Sequence, residues 1–245
     1  MRPFLLPALC LFLSHAALAQ DVALVPFGSV WKYLDSGSDQ GTAWRASGFN
    51  DAAWASGPGQ LGYGDGDEAT VVSYGPSSSA KYITTYFRRT ITLPSAGAYA
   101  GYRLRLIRDD GIVVYVNGAE VLRQNFGEGT IGYTTLSYQA VATSEEGQIL
   151  EHVLAPSVFA NGSNTIAVEI HQSVATSSDV SFDLELIGLD NNPSVFRGPY
   201  IMAASANGIT VCWNTDVPST ARVRYGTSLG ALNSNVTNNT SVRQH

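Results

Sequence analysis

The sequence contains very little cysteine. Its 245 residues include 2 cysteines, Cys10 and Cys212. Cys10 falls in an N-terminal segment that we expect to be removed on export, so the mature chain would keep Cys212 alone. A single cysteine excludes an intramolecular disulfide framework, and a chain of this length can depend on its hydrophobic core instead.

Positive charge is scarce as well. Lys and Arg total 14 against 20 Asp and Glu, the formal net charge is -6, and no cluster or stripe of basic residues occurs. Nucleic acids and anionic membrane surfaces attract proteins through such basic patches. The sequence therefore predicts no nucleic-acid partner and no anionic membrane surface as a partner.

No apolar run is long enough to cross a membrane, which takes about 20 residues. The longest run, residues 4–13, follows the positive Arg2 and is followed by the small-residue segment Ala17-Leu18-Ala19. This order is typical of a secretory signal peptide. We therefore predict a signal peptide over residues 1–19, no membrane span, and a secreted or cell-envelope location, either periplasmic or extracellular.

The sequence is rich in short stretches where apolar and polar residues alternate between turn residues. Such alternation is typical of half-buried strands, and many short strands with few helical stretches indicate a sandwich or jelly roll. The Asn117-Gly118 pair between two apolar runs predicts a type I′ hairpin. The alternating stretches are residues 30–34, 82–93, 102–106, 112–116, 148–154, 165–171 and 181–187.

Turn residues divide the chain into two parts. Asn191-Asn192-Pro193-Ser194 predicts a linker, because Asn and Pro favour turns and the residue before Pro avoids the helix. We therefore predict a first domain over residues 22–190, a linker over 191–194, and a second domain over 195–245. The predicted fold class is all-β: a jelly-roll β-sandwich plus an incomplete fibronectin-type-III-like β-sandwich.

The first domain resembles the galactose-binding-like jelly rolls attached to many secreted glycosidases and phosphoesterases. The motifs are Trp44, then Gly48-Phe49-Asn50-Asp51 with Trp54, then residues 114–118 and 161–169. This resemblance implies the jelly-roll fold. In that superfamily the scaffold serves carbohydrate binding, protein docking or structural support, so a glycan or cell-surface polymer is one of several partners that it implies.

The second domain resembles the start of the fibronectin-type-III-like domain that precedes the catalytic domain in purple acid phosphatases. The motifs are Arg197-Gly198-Pro199-Tyr200 and two expected strands, residues 209–213 and 221–226. A complete domain of this type needs about 100 residues and seven strands, so residues 195–245 provide about half of one. The resemblance implies a parent protein whose dimetal, phosphomonoester-hydrolysing domain follows His245.

The catalytic motifs of that family are missing from this chain. They are Gly-Asp-x-x-Tyr, Gly-Asn-His-(Glu/Asp) and Gly-His-x-His, and their side chains hold two cations that activate water. Val168-Glu169-Ile170-His171 matches the family's Val-x-x-His element, but it lies in the first domain, and we interpret His171 as a strand-end histidine. We expect no catalytic residue, no cofactor-binding residue and no dimetal centre here.

Three function hypotheses follow from these motifs. The first is a noncatalytic binding or targeting region of a purple acid phosphatase-like metallophosphoesterase, with the downstream catalytic domain as its partner in the parent protein. The second is a carbohydrate-binding module of another envelope enzyme. The third is a purely structural spacer or docking domain.

Two acidic segments are candidates for a structural calcium site. Asp65, Asp67 and Glu68 lie in a glycine-rich loop that can wrap closely around an ion, although the spacing is not that of an EF-hand. Asp109-Asp110 resembles the protective-antigen-type adhesin domains, in which an Asp-Asp pair holds calcium beside a sugar. The competing interpretation of both segments is a solvated acidic turn.

Aromatic residues provide a further set of candidates, because an aromatic face can stack on the apolar face of a sugar. The alternative for each tyrosine is a place in the core or on a strand surface. We expect the four tryptophans, Trp31, Trp44, Trp54 and Trp213, to be core residues. The tyrosine candidates are Tyr63, Tyr74, Tyr82, Tyr86 and Tyr133.

Overall fold

The computed structural model describes residues 21–190, 195–205, 208–226 and 232–244. The predicted signal peptide and the predicted linker lie outside these residues. The described chain forms two compact units, one made by residues 21–190 and the other by the described residues from 195 onward. Across the described ranges, no helix combines the length and apolarity needed to cross a bilayer.

The first unit is a sandwich of two mainly antiparallel sheets, which confirms the predicted all-β fold class. One sheet has the order β10-β7-β12-β4-β5, with β1 also paired to β12, and the other has the order β3-β2-β6-β11-β8-β9. The strands are β1 (Val22–Val25), β2 (Val30–Leu34), β3 (Ala55–Pro58), β4 (Leu61–Tyr63), β5 (Thr70–Val71), β6 (Thr84–Leu93), β7 (Tyr99–Asp109), β8 (Gly111–Val116), β9 (Ala119–Gln124), β10 (Leu150–Leu154), β11 (Gly162–His171) and β12 (Val180–Asp190).

Helical structure in this unit is limited to single turns. One four-residue helix, α1, covers Thr143–Glu146, and 3-10 turns cover Ala43–Arg45, Ala96–Ala98 and Pro156–Val158. None of them is long enough to bury an amphipathic face of its own. The strands therefore provide most of the core.

The main core lies between the two sheets. Phe87 stacks on Phe182 with the two ring centroids 4.3 Å apart. Trp31 meets Phe182 edge-on at a centroid distance of 5.1 Å. Alternate residues of β11, among them Ile166 and Val168, point into the same core and are fully buried. Burial of one such large side chain stabilises the fold by about 1.5–3 kcal/mol, so this aromatic centre is a main source of stability.

A second core covers the outer face of the sheet that contains β6, β8 and β11. Trp44, held by the 3-10 turn, packs against Tyr86 at 4.7 Å and against Tyr115 at 5.8 Å, and Trp54 stacks on Trp44 at 6.4 Å. Since both faces of this sheet are covered, every residue of β8 is buried. The prediction that residues 112–116 alternate like a half-buried strand was therefore wrong, because a strand that is covered on both faces is an unbroken apolar run.

The hairpin prediction is confirmed. Asn117 and Gly118 have φ angles of 52° and 89°, and they join β8 to β9, which pair antiparallel. Both angles lie in the left-handed region that a type I′ turn requires, which glycine and asparagine tolerate best.

The second unit is a three-stranded antiparallel sheet in the described residues. It contains β13 (Val195–Ser205), β14 (Gly208–Tyr225) and β15 (Ser234–Gln244), in the order β13-β14-β15. The two strands expected at 209–213 and 221–226 are wrong as separate elements, because β14 runs through both. Register shifts between Asn214 and Ala221 take up the intervening turn residues without ending the strand.

Three of the four tryptophans are buried, as predicted for core residues. Trp31, Trp44 and Trp54 are buried, whereas Trp213 on β14 is only partly buried. The prediction for Trp213 was wrong because the described sheet of the second unit packs its alternating residues less completely than the sandwich does. Cys212 is buried and carries a free thiol.

Candidate functional site

Acidic residues from four parts of the chain meet at one end of the sandwich. β12 pairs with β4 on one side, placing Val180 opposite Tyr63, and with β7 on the other, placing Ser181 opposite Asp109. This double pairing brings together the residues that follow β4, end β7 and precede β12. We call Asp65, Asp109, Asp110, Asp179 and Glu146 the acidic cluster.

Distances within the acidic cluster are short. One carboxylate oxygen each from Asp65, Glu146 and Asp179 lies within 4.8 Å of the other two. The Asp109 carboxyl lies against those of Asp110 and Asp179. The two segments that the sequence offered as separate calcium candidates therefore contribute to the same place, and Asp179 and Glu146 join them.

Asp109 is the anomalous member of the cluster. Its side chain is 1% exposed, and neither carboxylate oxygen has a hydrogen-bond donor. Burial, together with the adjacent Asp110 and Asp179 carboxyls, raises the pKa of Asp109 to about 9. Most buried polar groups in proteins have a partner, so an unpartnered buried carboxyl needs an explanation.

Asp110 is equally buried but fully paired. Its Oδ1 accepts a hydrogen bond from the Val141 backbone N–H at 2.8 Å, and its Oδ2 accepts one from the Ser173 backbone N–H at 2.8 Å. Its backbone oxygen also accepts a bond from Arg108 Nη1 at 2.7 Å. Asp110 therefore holds two loops against the β7–β8 junction.

The loop after β4 divides its carboxylates between two roles. Glu68 accepts hydrogen bonds from the backbone N–H groups of Asp65 and Gly66, at 2.9 and 3.0 Å, so it closes its own loop. Gly64 and Gly66 have φ angles of 117° and 82°, which other residues rarely adopt. Asp65 instead belongs to the acidic cluster, and partial burial raises its pKa, with smaller contributions from Asp179 and the loop carboxylates.

A wall of aromatic rings borders the cluster. Tyr74 is 41% exposed and meets the buried Tyr63 edge-on at 5.4 Å. The Lys81 ammonium lies 4.9 Å from the Tyr63 ring centroid and 5.3 Å from that of Tyr74. It also donates to the backbone oxygens of Ser177 and Ser178, which immediately precede Asp179. We call Tyr63, Tyr74 and Lys81 the tyrosine wall.

The tyrosine candidates thus have different environments. Tyr63 is buried, and its hydroxyl accepts a hydrogen bond from Gln172 Nε2. Tyr86 belongs to the second core, whereas Tyr82 and Tyr133 are partly buried. Burial raises the pKa of both Tyr63 and Tyr86. Tyr74 therefore offers the most exposed ring of the five.

A second group of buried polar residues lies on the outer face of the other sheet. Glu169 accepts a hydrogen bond from the Tyr115 hydroxyl at 2.7 Å and one from Arg45 Nη2 at 3.3 Å. His171 Nε2 lies 3.5 Å from Glu169 Oε2, and His171 Nδ1 donates to the Thr135 backbone oxygen at 2.7 Å. We call Glu169, Arg45, Tyr115 and His171 the glutamate network. His171 does end its strand, and its ring holds a covering loop in place.

Sequence reasoning missed four residues of the cluster region: Asp179, Glu146, Gln172 and Lys81. Their positions depend on which strands pair and in which register, and a single sequence does not show this. The only local signal was the position of Asp179 next to an alternating run. The acidic loop and the Asp-Asp pair were visible because their residue types are concentrated locally.

Comparison with known proteins adds little at the level of sequence. No family model and no curated protein matches this chain. The purple acid phosphatase resemblance therefore gains no support from these comparisons and stays a prediction.

Several solved structures are similar in outline. A β-glucuronidase from Bacteroides uniformis has 15% identity and a TM-score of 0.44, covering 91% of this chain and 26% of its own. A β-glucuronidase from Ruminococcus gnavus, in complex with D-glucuronic acid, has 13% identity and a TM-score of 0.42, and the match covers 92% of this chain and 39% of the glucuronidase. A glycosyl hydrolase family 2 member from Bacteroides cellulosilyticus has 12% identity and a TM-score of 0.45, and the match covers 82% of this chain and 26% of the hydrolase. This chain spans well under half of each, and likeness at this level carries no functional argument.

Proposed function

We propose that residues 21–190 form a noncatalytic, carbohydrate-binding accessory module of an exported enzyme. The observation that carries the proposal is the half-exposed Tyr74 ring, which packs on Tyr63 at the start of the acidic loop and shares the Lys81 ammonium with the segment that precedes Asp179. An aromatic face next to hydrogen-bond acceptors suits a sugar, which has both apolar C–H faces and hydroxyl donors.

The packing of the wall supports this role. Tyr63 and the Lys81 ammonium fix one edge and one face of Tyr74, and a ring that is already ordered loses little conformational entropy on binding. The carboxylates of Asp65 and Asp179 are suited to accept hydrogen bonds from sugar hydroxyls. A neutral or hydroxyl-rich glycan fits this end of the module better than an anionic one, because the cluster itself is anionic.

The parent protein forms the second part of the proposal. The resemblance of residues 197–226 supports an exported purple acid phosphatase-like metallophosphoesterase whose dimetal domain follows His245. The module would then target that enzyme to a glycan or cell-surface polymer. Reading the gene downstream of His245 tests this part, because a different catalytic domain there would favour a module of another envelope enzyme.

A glycan array probed with the full chain tests the binding function. We expect binding to at least one glycan class, and Tyr74→Ala should weaken it about tenfold, which corresponds to about 1.4 kcal/mol of binding free energy. Tyr225→Ala is a matched control, because Tyr225 is also 41% exposed but lies on β14 of the second unit. Absence of binding by a folded, monodisperse chain would contradict the proposal and favour the structural spacer or docking domain.

A further inference from the structure

We propose that Tyr138 is a second sugar-binding ring of the module, and that the ligand is a neutral glycan chain long enough to contact Tyr74 and Tyr138 together. The inference rests on the proposed function and deepens it, because it adds a residue to the site and specifies an extended ligand. Tyr138 was not among the tyrosine candidates of the sequence.

Tyr138 combines high exposure with a fixed backbone. It is 75% exposed, the largest value among the large apolar side chains of the described residues. Its backbone N–H donates to the Asn125 backbone oxygen at 2.9 Å, and the adjacent Ser137 N–H donates to the Gln172 backbone oxygen at 3.0 Å. The Asn125 side chain also donates to the Gln139 backbone oxygen at 2.6 Å. Neighbouring segments therefore hold the backbone around Tyr138 while its ring remains accessible to solvent.

A glycine accommodates the outer end of the ring. A Cβ atom added at Gly127 would collide with the Tyr138 hydroxyl oxygen and would lie 2.8 Å from Cζ. Arg123 fixes this glycine in turn, because its Nη1 donates to the backbone oxygens of Gly127 and Gly129 at 2.7 and 2.9 Å. The ring is thus positioned at both ends, and a side chain that is already ordered loses little conformational entropy when it binds a ligand.

The charges around Tyr138 favour an uncharged ligand. The Arg123 guanidinium forms two further hydrogen bonds with the Glu120 carboxylate, at 2.6 and 2.7 Å, so its charge is paired. Residues 130–144, which include Tyr138, contain no Asp, Glu, Lys or Arg. An exposed ring in uncharged surroundings suits the apolar C–H face of a neutral sugar.

Tyr138 and Tyr74 belong to the same end of the sandwich, and the buried Gln172 links them. Its backbone oxygen accepts the Ser137 N–H next to Tyr138, and its side-chain Nε2 donates to the Tyr63 hydroxyl. Tyr63 in turn meets Tyr74 edge-on at 5.4 Å. Because this short series of contacts joins the two rings, one extended ligand can reach both. Two contacts on one ligand bind more tightly than either contact alone, since the second forms within the same complex.

Affinity electrophoresis of the full chain tests the inference, in gels that contain xylan, mannan, galactan, β-1,3-glucan or soluble starch. Calorimetry then uses oligosaccharides of two and of six sugar units from the polysaccharide that retards the wild type. We expect the longer oligosaccharide to bind more tightly. Tyr138→Ala should weaken its binding about fivefold, and should weaken binding of the shorter one by less than about twofold.

A pair of glycine variants tests whether the position of the ring matters. Gly127→Ala keeps Tyr138 but displaces its ring, so it should weaken binding of the longer oligosaccharide about as much as Tyr138→Ala does. Gly132→Ala is the matched control, because a Cβ atom there meets nothing within 4 Å, and it should bind like the wild type. Melting temperatures close to that of the wild type check that each variant is folded.

The possible failures are distinguishable. Weaker binding in Tyr74→Ala with unchanged binding in Tyr138→Ala at both lengths would overturn the inference and leave the proposed function standing. An equal loss in Tyr138→Ala for the short and the long oligosaccharide would also overturn it, because one ligand would then not extend over both rings. Equal losses in Gly127→Ala and Gly132→Ala would count against a role for the ring position. A folded wild type that binds none of the five polysaccharides and no glycan on the array would contradict the proposed function and the inference together.

Discussion

Two buried acids in the same sandwich have opposite surroundings. Glu169 and Asp109 are each 1% exposed. Glu169 accepts hydrogen bonds from Tyr115 and Arg45, and His171 lies within ion-pair distance. Asp109 lies against the Asp110 and Asp179 carboxyls, and within the described chain no N–H or hydroxyl group donates to either of its oxygens.

The difference shows that burial of a carboxylate does not by itself indicate a binding site. Glu169 receives its hydrogen bonds from Tyr115 and Arg45, and Arg45 also stacks over the Tyr115 ring at 4.2 Å, so this group fastens a covering loop to the sheet. Asp109 receives no N–H or hydroxyl donor within the described chain, and a buried acid of this kind is a candidate for an external ligand. Pairing, more than exposure, distinguishes a structural acid from a ligand-binding one.

The largest effect should come from removing the acid that has partners. Glu169→Ala leaves the buried Tyr115 hydroxyl and the partly buried Arg45 guanidinium without their acceptor, and removing one partner of a largely buried ion pair costs up to about 3–5 kcal/mol. Urea denaturation should show this loss in the free energy of unfolding. Glu128→Ala, at an exposed position, is the control and should change it by less than about 0.5 kcal/mol. A small effect at Glu169 would mean that the glutamate network does not hold the fold together.

An amide substitution at each acid should give effects of opposite sign. Glu169→Gln loses its charge-assisted bond to Arg45 and should destabilise the fold by about 1–3 kcal/mol. Asp109→Asn, measured at pH 7, replaces a carboxyl that its raised pKa keeps largely protonated with an amide that brings two N–H donors to Asp110 and Asp179, so it should stabilise the fold by up to about 1 kcal/mol. Destabilisation of similar size in both variants would remove the distinction between the two regions.

The strands with strong local patterns could be predicted from the sequence. Residues 165–171 fall within β11, and Asn117-Gly118 marks the hairpin between β8 and β9, because alternation and turn chemistry are local properties. The short strands β3, β4 and β5 were not predicted. They lie in Gly- and Ser-containing sequence with little alternation, and they form because neighbouring strands pair with them.

The candidate site could be predicted in its residue types but not in its assembly. Asp65, Asp109 and Asp110 were identified from local concentrations of acid, yet as two alternative sites. The register of β12 against both β4 and β7 brings them to Asp179, and register depends on the whole sheet. The different roles of Asp109 and Asp110 could not be predicted from the sequence either, since Asp110 accepts hydrogen bonds at both carboxylate oxygens while the adjacent Asp109 accepts none within the described chain.

The smallest effect concerns Asp51, a partly exposed acid that also has partners. Arg88 Nε donates to Asp51 Oδ2 at 2.9 Å, and Lys32 Nζ lies 2.9 Å from Oδ1. Partial burial alone would raise the pKa of Asp51, but the bonds and charges from Arg88 and Lys32 outweigh it and lower the pKa below its ordinary value.

A lowered pKa in the folded state fixes the sign of the pH dependence. The unfolded chain binds this proton more readily, so the stabilisation from Asp51 is present above the ordinary carboxyl pKa of about 3.9 and is lost as the pH falls through the lower folded-state pKa. Lys32 is 37% exposed, so solvent screening should keep the contribution below about 1 kcal/mol. Denaturation curves at pH 6 and at pH 3 should show a smaller acid-induced loss of stability for Asp51→Asn than for wild type. Equal losses in the two proteins would show that Asp51 gains nothing from its two partners, and the contrast between acids with and without partners would then apply only to fully buried groups.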